Sequence, residues 1–160
     1  MGLDMYLEER KYIGKAEVKL LSNEYGWHNN DGQEFKNVKE LVIEAGYWRK
    51  ANAIHKWFVD NVQDGNDDCG EYEVSIEKLQ ELLEICKELK SKMVLSEDTN
   101  KNGDKYIVNY TLCKKLLPTQ DGFFFGSTSY DEWYYEDIEN TIKIIESLDG
   151  KGEYYYTSSW

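Results

Sequence analysis

Segment 46–58 holds the side chains of this sequence that are best suited to binding or acid–base chemistry. The candidates are Trp48, Arg49, Lys50, Asn52 and His55. Guanidinium and ammonium groups bind phosphate or carboxylate oxygens through charge-assisted hydrogen bonds, and an indole ring can stack on a nucleotide base. An imidazole can act as a general base near neutral pH. The segment therefore predicts either a site for a nucleotide or other anion, or a catalytic site built on the histidine.

The apolar residues of this segment recur at the spacing of a helix. The stripe consists of Ala51, Ile54, Trp57, Phe58 and Val62. Intervals of three and four residues predict a helix near 50–62. We expect Ile54 and Phe58 to face the core, and His55 and Lys56 to remain free for recognition.

The two cations at the start of this helix need an anionic partner. Arg49 and Lys50 would stand at its N-terminus, where the helix dipole disfavours positive charge. The short loop that follows the helix supplies Asp67, Asp68 and Glu71. We expect these acids to neutralise Arg49 and Lys50 at least partly. The alternative is that the anionic partner is a ligand.

A second group of candidates lies in segment 127–139. If the site holds a small ligand, Ser127, Thr128 and Tyr130 are expected to face segment 46–58, and a hydroxyl within 127–129 is expected to cap the last helix. Asp131 and Trp133 belong to a helix start that is richer in acids than capping requires. Exposed aromatic side chains are frequent anchors of protein interfaces, so this helix start predicts a partner-binding surface.

Hydrophobic periodicity predicts the elements that position these residues. Strands are expected near 3–12, 39–48, 105–112 and 122–126, and helices near 50–62, 76–93 and 131–148. A short strand over 17–21, a loop over 22–37 that contains His28, and an edge strand or partner-binding tail over 150–160 are further predictions. The pattern indicates an α+β fold in a single domain, residues 1–160, with a mainly antiparallel sheet of four to five strands and three helices packed on it.

Composition excludes several classes of partner. The chain has 160 residues and a formal net charge of −12, which disfavours direct binding to nucleic acid or to an anionic membrane surface. No apolar run is long enough to span a membrane. Three widely spaced cysteines favour a reduced, cytoplasmic setting. Cys69 is expected to be a small buried residue, and Cys86 to lie on the core stripe of the helix near 76–93.

Segment 98–109 resembles a calcium-binding loop only in its first half. Asp98 to Asp104 matches the opening of an EF-hand, but the twelfth position is Asn109, where a bidentate glutamate is needed. A turn is the better prediction, although a weak cation site stays open. We predict no cofactor and no metal site.

Several strings of the sequence together resemble a family of small proteins that tailed phages and prophages encode. They are MGLDMYL (1–7), GYWRKANAIHKWF (46–58), DDCGEY (67–72), LLPT (116–119), GFFFGST (122–128) and YDEWYYED (130–137). The resemblance implies expression in the cytoplasm of a bacterial host. Accessory phage proteins often act on host defence systems, so it also implies a host protein as the partner.

Three hypotheses for the function follow. The first is a non-enzymatic interaction protein, for example an inhibitor of a host defence or nucleic-acid-processing protein, which uses an acidic and aromatic surface. The second is a binding protein for a small anionic ligand. The third is an enzyme with His55 as general base beside Asp67, Asp68 or Glu71. No catalytic triad, phosphate-binding loop or metal-ligand spacing occurs in the sequence, which makes the enzyme the weakest hypothesis.

Overall fold

A computed structural model describes residues 2–14 and 38–160, which form two antiparallel sheets with helices packed on them. The predicted strand over 17–21 and the loop over 22–37 with His28 lie outside the described residues. The elements are β1 Asp4–Tyr12, β2 Glu40–Arg49, α1 Asn52–Asn61, β3 Tyr72–Val74, α2 Ile76–Lys92, β4 Leu95–Thr99, β5 Lys105–Ile107, α3 Thr111–Leu116, α4 Glu132–Ser147 and β6 Glu153–Ser159. The α+β prediction is confirmed. Among these elements, the four-stranded sheet and the three longer helices match its outline.

The larger sheet has the strand order β2–β1–β6–β3, and every neighbouring pair is antiparallel. Along β1, Met5 and Leu7 are fully buried and alternate with more exposed residues, as the period of a half-buried strand requires. Met5 lies opposite Trp48 on β2 and opposite Ser158 on β6. This register places Arg49, the last residue of β2, opposite Asp4, the first residue of β1. The chain leaves the sheet directly after Arg49.

The last strand is an inner strand of the sheet. β6 pairs with β1 on one side and with β3 on the other, so the prediction of an edge strand or a partner-binding tail over 150–160 is wrong. Tyr154 and Tyr156 are buried on the core side. Tyr156 packs under α1, where its ring stacks on Phe58, and the Tyr154 hydroxyl donates to the Glu9 carboxylate at 3.1 Å.

The helices cover the sheet through the predicted apolar stripes. In α2 the fully buried residues are Leu79, Leu82, Cys86 and Leu89, and each buried leucine contributes about 1.5–3 kcal/mol. Ser75 caps α2 by accepting a hydrogen bond from the Lys78 amide at 3.3 Å. The predicted hydroxyl cap of α4 is wrong, because Asp131 accepts from the amides of Trp133 and Tyr134 instead, at 3.1 and 3.2 Å.

Two predicted strands differ from the structure. Residues 122–126 form a turn, in which the Phe125 amide donates to the Gly122 carbonyl at 3.2 Å and Phe124 has a φ of 70°. A positive φ is incompatible with a strand, so Phe123 and Phe124 remain exposed and Phe125 alone enters the core. The strand near 105–112 ends at Ile107, which lies opposite Leu95, the first residue of β4, and α3 follows from Thr111.

The cysteines and the 98–104 segment complete the description. Cys86 and Cys113 are buried, but Cys69 is exposed in a left-handed turn with a φ of 56°, so its predicted burial is wrong. The Asn100 side-chain oxygen accepts hydrogen bonds from two following amides, which makes this segment the tight turn between β4 and β5. No helix within 2–14 or 38–160 has the length and apolar character to cross a membrane.

Candidate functional site

A cavity of about 400 Å³ opens where the end of β2 meets the start of α4. We call it the Arg49 pocket. Its lining comes from the β2–α1 junction, the loop 119–129 and the first half of α4. The residues are Arg49, Lys50, Asn52, Ala53, Thr119, Gly126, Ser127, Ser129, Asp131, Trp133, Tyr134 and Asp137. The fold therefore brings residues 49–53 together with the stretch 119–137, which lies far along the chain from them.

The turn between β2 and α1 places the two cations on the wall of the pocket. Lys50 has a φ of 59°, which a side chain rarely adopts, and its amide donates to the Leu3 carbonyl at 2.7 Å. Gly126 faces this turn with a φ of 91°, and a Cβ there would lie 3.1 Å from the Lys50 Cβ. The glycine is required at this point because the loop approaches the lysine so closely.

Asn52 holds the loop 119–129 against α1. Its side-chain nitrogen donates to the carbonyls of Phe125 and Ser127 at 3.2 and 2.8 Å, and its oxygen accepts from the Gln120 amide at 3.1 Å. The residue is buried. Since these contacts occupy the amide group, Asn52 builds the pocket and is not a group that would bind a ligand.

α4 contributes two carboxyl groups and an exposed indole. The Asp131 carboxyl is committed to capping, and burial raises its pKa. Burial, together with the charges of Asp131 and Glu136, raises the pKa of Asp137 to about 7. Trp133 is 59% exposed on the lining of the pocket. The Asp137 carboxyl, unlike that of Asp131, makes no hydrogen bond or ion pair within the described part of the chain.

The predicted neutralisation of Arg49 and Lys50 by the 67–71 loop is wrong. Asp67 binds the His55 ring and the Trp160 indole, Asp68 accepts from the Tyr72 hydroxyl, and Glu71 pairs with Arg10. The loop does return along α1, but it meets the face of the helix that carries the histidine. Between residues 2–14 and 38–160, no carboxylate lies within ion-pair distance, 4.0 Å, of either cation.

His55 is a core residue and does not reach the pocket. It is 0% exposed, its Nδ1 lies 2.7 Å from the Tyr156 hydroxyl, and its Nε2 lies 3.1 Å from an Asp67 carboxylate oxygen. Lys56 pairs with Asp60 at 2.8 Å. The expectation that His55 remains free for recognition is therefore wrong, and that for Lys56 stays a prediction, because its ion pair lies at the surface. Because both ring nitrogens have partners, the histidine has no free nitrogen with which to remove a proton from a substrate.

The other predicted site residues divide between the pocket and its surroundings. Arg49, Lys50, Asn52, Ser127, Asp131 and Trp133 line the pocket. Trp48 is buried beneath it, and its indole N–H donates to the Thr141 hydroxyl at 2.9 Å. Thr128 and Tyr130 line a neighbouring cavity, in which Tyr130 stacks on Tyr110 with ring centres 5.7 Å apart. Asp67 and Asp68 lie apart from both cavities.

Sequence reasoning missed Asp137, Ser129 and Thr119. Asp137 follows Trp133 by four residues and Tyr134 by three, which is the spacing of neighbours on one helix face. That spacing could have predicted it. Ser129 and Thr119 carry no comparable signal, because only the folded loop brings them to the pocket.

Neither a metal nor a relative identifies the site. Within residues 2–14 and 38–160, no cluster of histidine, cysteine, aspartate or glutamate side chains could hold a metal ion. Comparisons with protein families, with curated proteins and with solved structures found no match. The resemblance to phage proteins stays a prediction, and the function has to be inferred from the pocket.

Proposed function

We propose that the protein is a binding protein that holds a small anionic ligand in the Arg49 pocket. The observation that carries this proposal is the position of Arg49 and Lys50, which line a cavity of about 400 Å³ and have no carboxylate partner among the described residues. Small-molecule sites are typically cavities of about 300–1,000 Å³. A site of this size with two unpaired cations is suited to a phosphate or carboxylate group.

The other lining groups support binding more than catalysis. The hydroxyls of Ser127 and Ser129 are exposed at the pocket and can donate to ligand oxygens. The Trp133 indole offers a flat apolar surface on which a ring can stack. His55, the predicted general base, is buried behind the loop with both nitrogens occupied.

Replacement of the arginine tests the proposal. Arg49→Gln should weaken binding of the ligand about 10- to 100-fold, because a hydrogen bond to a charged group contributes about 1.5–3 kcal/mol. The matched control is Lys56→Gln, which removes an equal charge outside the pocket. Isothermal titration with a panel of nucleotides and small carboxylates measures both. Equal affinities in the two variants would contradict the proposal.

We also propose, as a second candidate, that the protein binds another protein, such as a defence or nucleic-acid-processing protein of a bacterial host. Large aromatic side chains that remain exposed favour it: Phe123 is 80%, Trp133 59%, Trp160 47% and Phe124 43% exposed. Aromatic anchors of this kind dominate many interfaces. The resemblance to phage proteins motivates the choice of a host partner.

A pull-down compares the two candidates. The wild-type chain should capture one stoichiometric protein from bacterial lysate, and Phe123→Ser should lose it while the chain stays folded. Phe123 does not line the Arg49 pocket, so this variant should keep small-ligand binding. Capture that persists in Phe123→Ser would count against the aromatic surface.

A further inference from the structure

Charged side chains of opposite sign line the Arg49 pocket without pairing with one another. Arg49 and Lys50 come from the β2–α1 turn, and Asp131 and Asp137 come from α4. No ion pair within the described chain joins the two groups. Where opposite charges come close elsewhere on the surface they do pair, as Lys90 and Glu139 do at 2.8 Å.

Contacts within the fold hold two of these residues, Lys50 and Asp131, in place. The Lys50 amide is bound to the Leu3 carbonyl, and its aliphatic chain lies against Gly126, so its backbone and side-chain stem cannot shift freely towards α4. The Asp131 carboxylate caps α4. Asp137 is the carboxyl group of the pocket that remains without a hydrogen-bond or ion-pair partner among residues 2–14 and 38–160. The pocket therefore presents an unused cationic wall and an unused carboxyl group.

We propose that the ligand of the Arg49 pocket is a small zwitterion of the amino-acid type, whose carboxylate binds Arg49 and Lys50 and whose ammonium group binds Asp137. This inference rests on the proposed binding function: it keeps an anionic carboxylate at Arg49 and Lys50 and adds an ammonium group to the ligand. A purely anionic ligand would leave the Asp137 carboxyl facing a like charge, and a purely cationic ligand would face the two cations. A zwitterion matches both walls and adds no net charge to the cavity.

The proton balance of binding distinguishes these ligand classes. The charged groups that act on the Asp137 carboxyl are Asp131 at the start of the helix and Glu136 beside it. Arg49 and Lys50 line the same cavity. The pKa of Asp137 is about 7, so near neutral pH the group is partly protonated. An ammonium group beside it lowers that pKa and releases a proton on binding. An anion beside it raises the pKa and takes up a proton.

Calorimetry of the full chain tests the inference. The free α-amino acids are titrated singly near pH 7 in two buffers with different ionisation enthalpies. Inorganic phosphate, acetate and methylammonium serve as probes with one kind of charge. We expect at least one amino acid to bind with proton release, and at least about tenfold more tightly than any single-charge probe, which corresponds to one charge contact.

Two variants identify the carboxyl group that is responsible. Asp137→Asn should abolish the proton release and weaken amino-acid binding about tenfold or more. Glu146→Gln removes an exposed acid near the other end of α4 and should leave affinity and proton release unchanged. Circular dichroism of both variants confirms that they are folded.

The remaining outcomes separate this inference from the proposed function. If phosphate or acetate binds with proton uptake and no amino acid binds, the pocket is an anion site and the zwitterion is wrong. If an amino acid binds but Asp137→Asn leaves its affinity unchanged, the assignment of its ammonium group is wrong. If no probe and no nucleotide binds, both proposals fail.

Discussion

Replacing Asp137 should change the way in which the stability of the protein depends on pH. Burial beside Asp131 and Glu136 raises the pKa of its carboxyl from 3.8 to about 7. When a carboxyl has a higher pKa in the folded than in the unfolded state, the unfolded state binds fewer protons between the two values. The contribution of Asp137 to the free energy of unfolding therefore falls as pH rises from about 4 to about 7, and it is constant above that range.

The pKa difference sets the magnitude. At 1.36 kcal/mol per pH unit, a rise from 3.8 to about 7 corresponds to about 4 kcal/mol. Asp137 is not fully buried, and contact with water reduces such an effect. We therefore expect Asp137→Asn to gain about 2–3 kcal/mol relative to the wild type when the pH is raised across this range.

Urea denaturation of the wild type and of Asp137→Asn between about pH 4 and pH 8 measures this difference in the free energy of unfolding. Glu146→Gln is the control, because it removes an acid of the same helix that pairs with Lys87 at the surface. Its curve should stay parallel to that of the wild type. If the curves of Asp137→Asn and the wild type are parallel, the Asp137 carboxyl is well hydrated. That result would refute the account of a buried Asp137 carboxyl in the Arg49 pocket.

Three further predictions concern the elements around the pocket. Asn52→Ala removes the hydrogen bonds that hold the loop 119–129 and should lower the free energy of unfolding by about 2–4 kcal/mol. Urea denaturation measures this loss, and an unchanged midpoint would contradict the role of Asn52. Tyr156→Phe leaves the buried His55 Nδ1 without its partner and should cost about 1–3 kcal/mol, which the same assay tests. Cys69 should react rapidly with thiol reagents in the native state. Cys86 should react only on unfolding, because burial raises the pKa of its thiol to about 12. Equal reaction rates of the two cysteines would show that the α2 stripe is wrongly placed.

Local periodicity predicted the elements whose burial follows one regular pattern. The α2 stripe and the alternation of Met5 and Leu7 in β1 are visible in the sequence because each depends on its own element. The turn at 122–126 was missed because three consecutive phenylalanines suggest a buried strand. The positive φ of Phe124 depends on the loop contacts made by Leu3 and Asn52, which lie far away in the sequence.

The candidate site could be predicted only in part for the same reason. Arg49 and Lys50 do lie just before a helix, as the sequence indicates, and their need for an anionic partner stays a prediction. The prediction that Asp67, Asp68 or Glu71 neutralises them is wrong. Asp67, for example, binds His55, and that contact depends on the packing of β6 under α1. Tyr156 lies about a hundred residues from the histidine, a separation across which helix and strand periods carry no information.

The tryptophan indole resonances give the most direct test of the claim that the Arg49 pocket is the binding site. Trp133 lines the pocket, whereas Trp57 and Trp160 do not. Trp160 is 47% exposed and controls for contact with any solvent-facing indole. In an NMR titration with the amino-acid or anion probe that binds, we expect the Trp133 indole N–H resonance, assigned with Trp133→Phe, to move while those of Trp57 and Trp160 stay in place. A shift of the Trp160 resonance with Trp133 unchanged would place the ligand elsewhere and contradict the account.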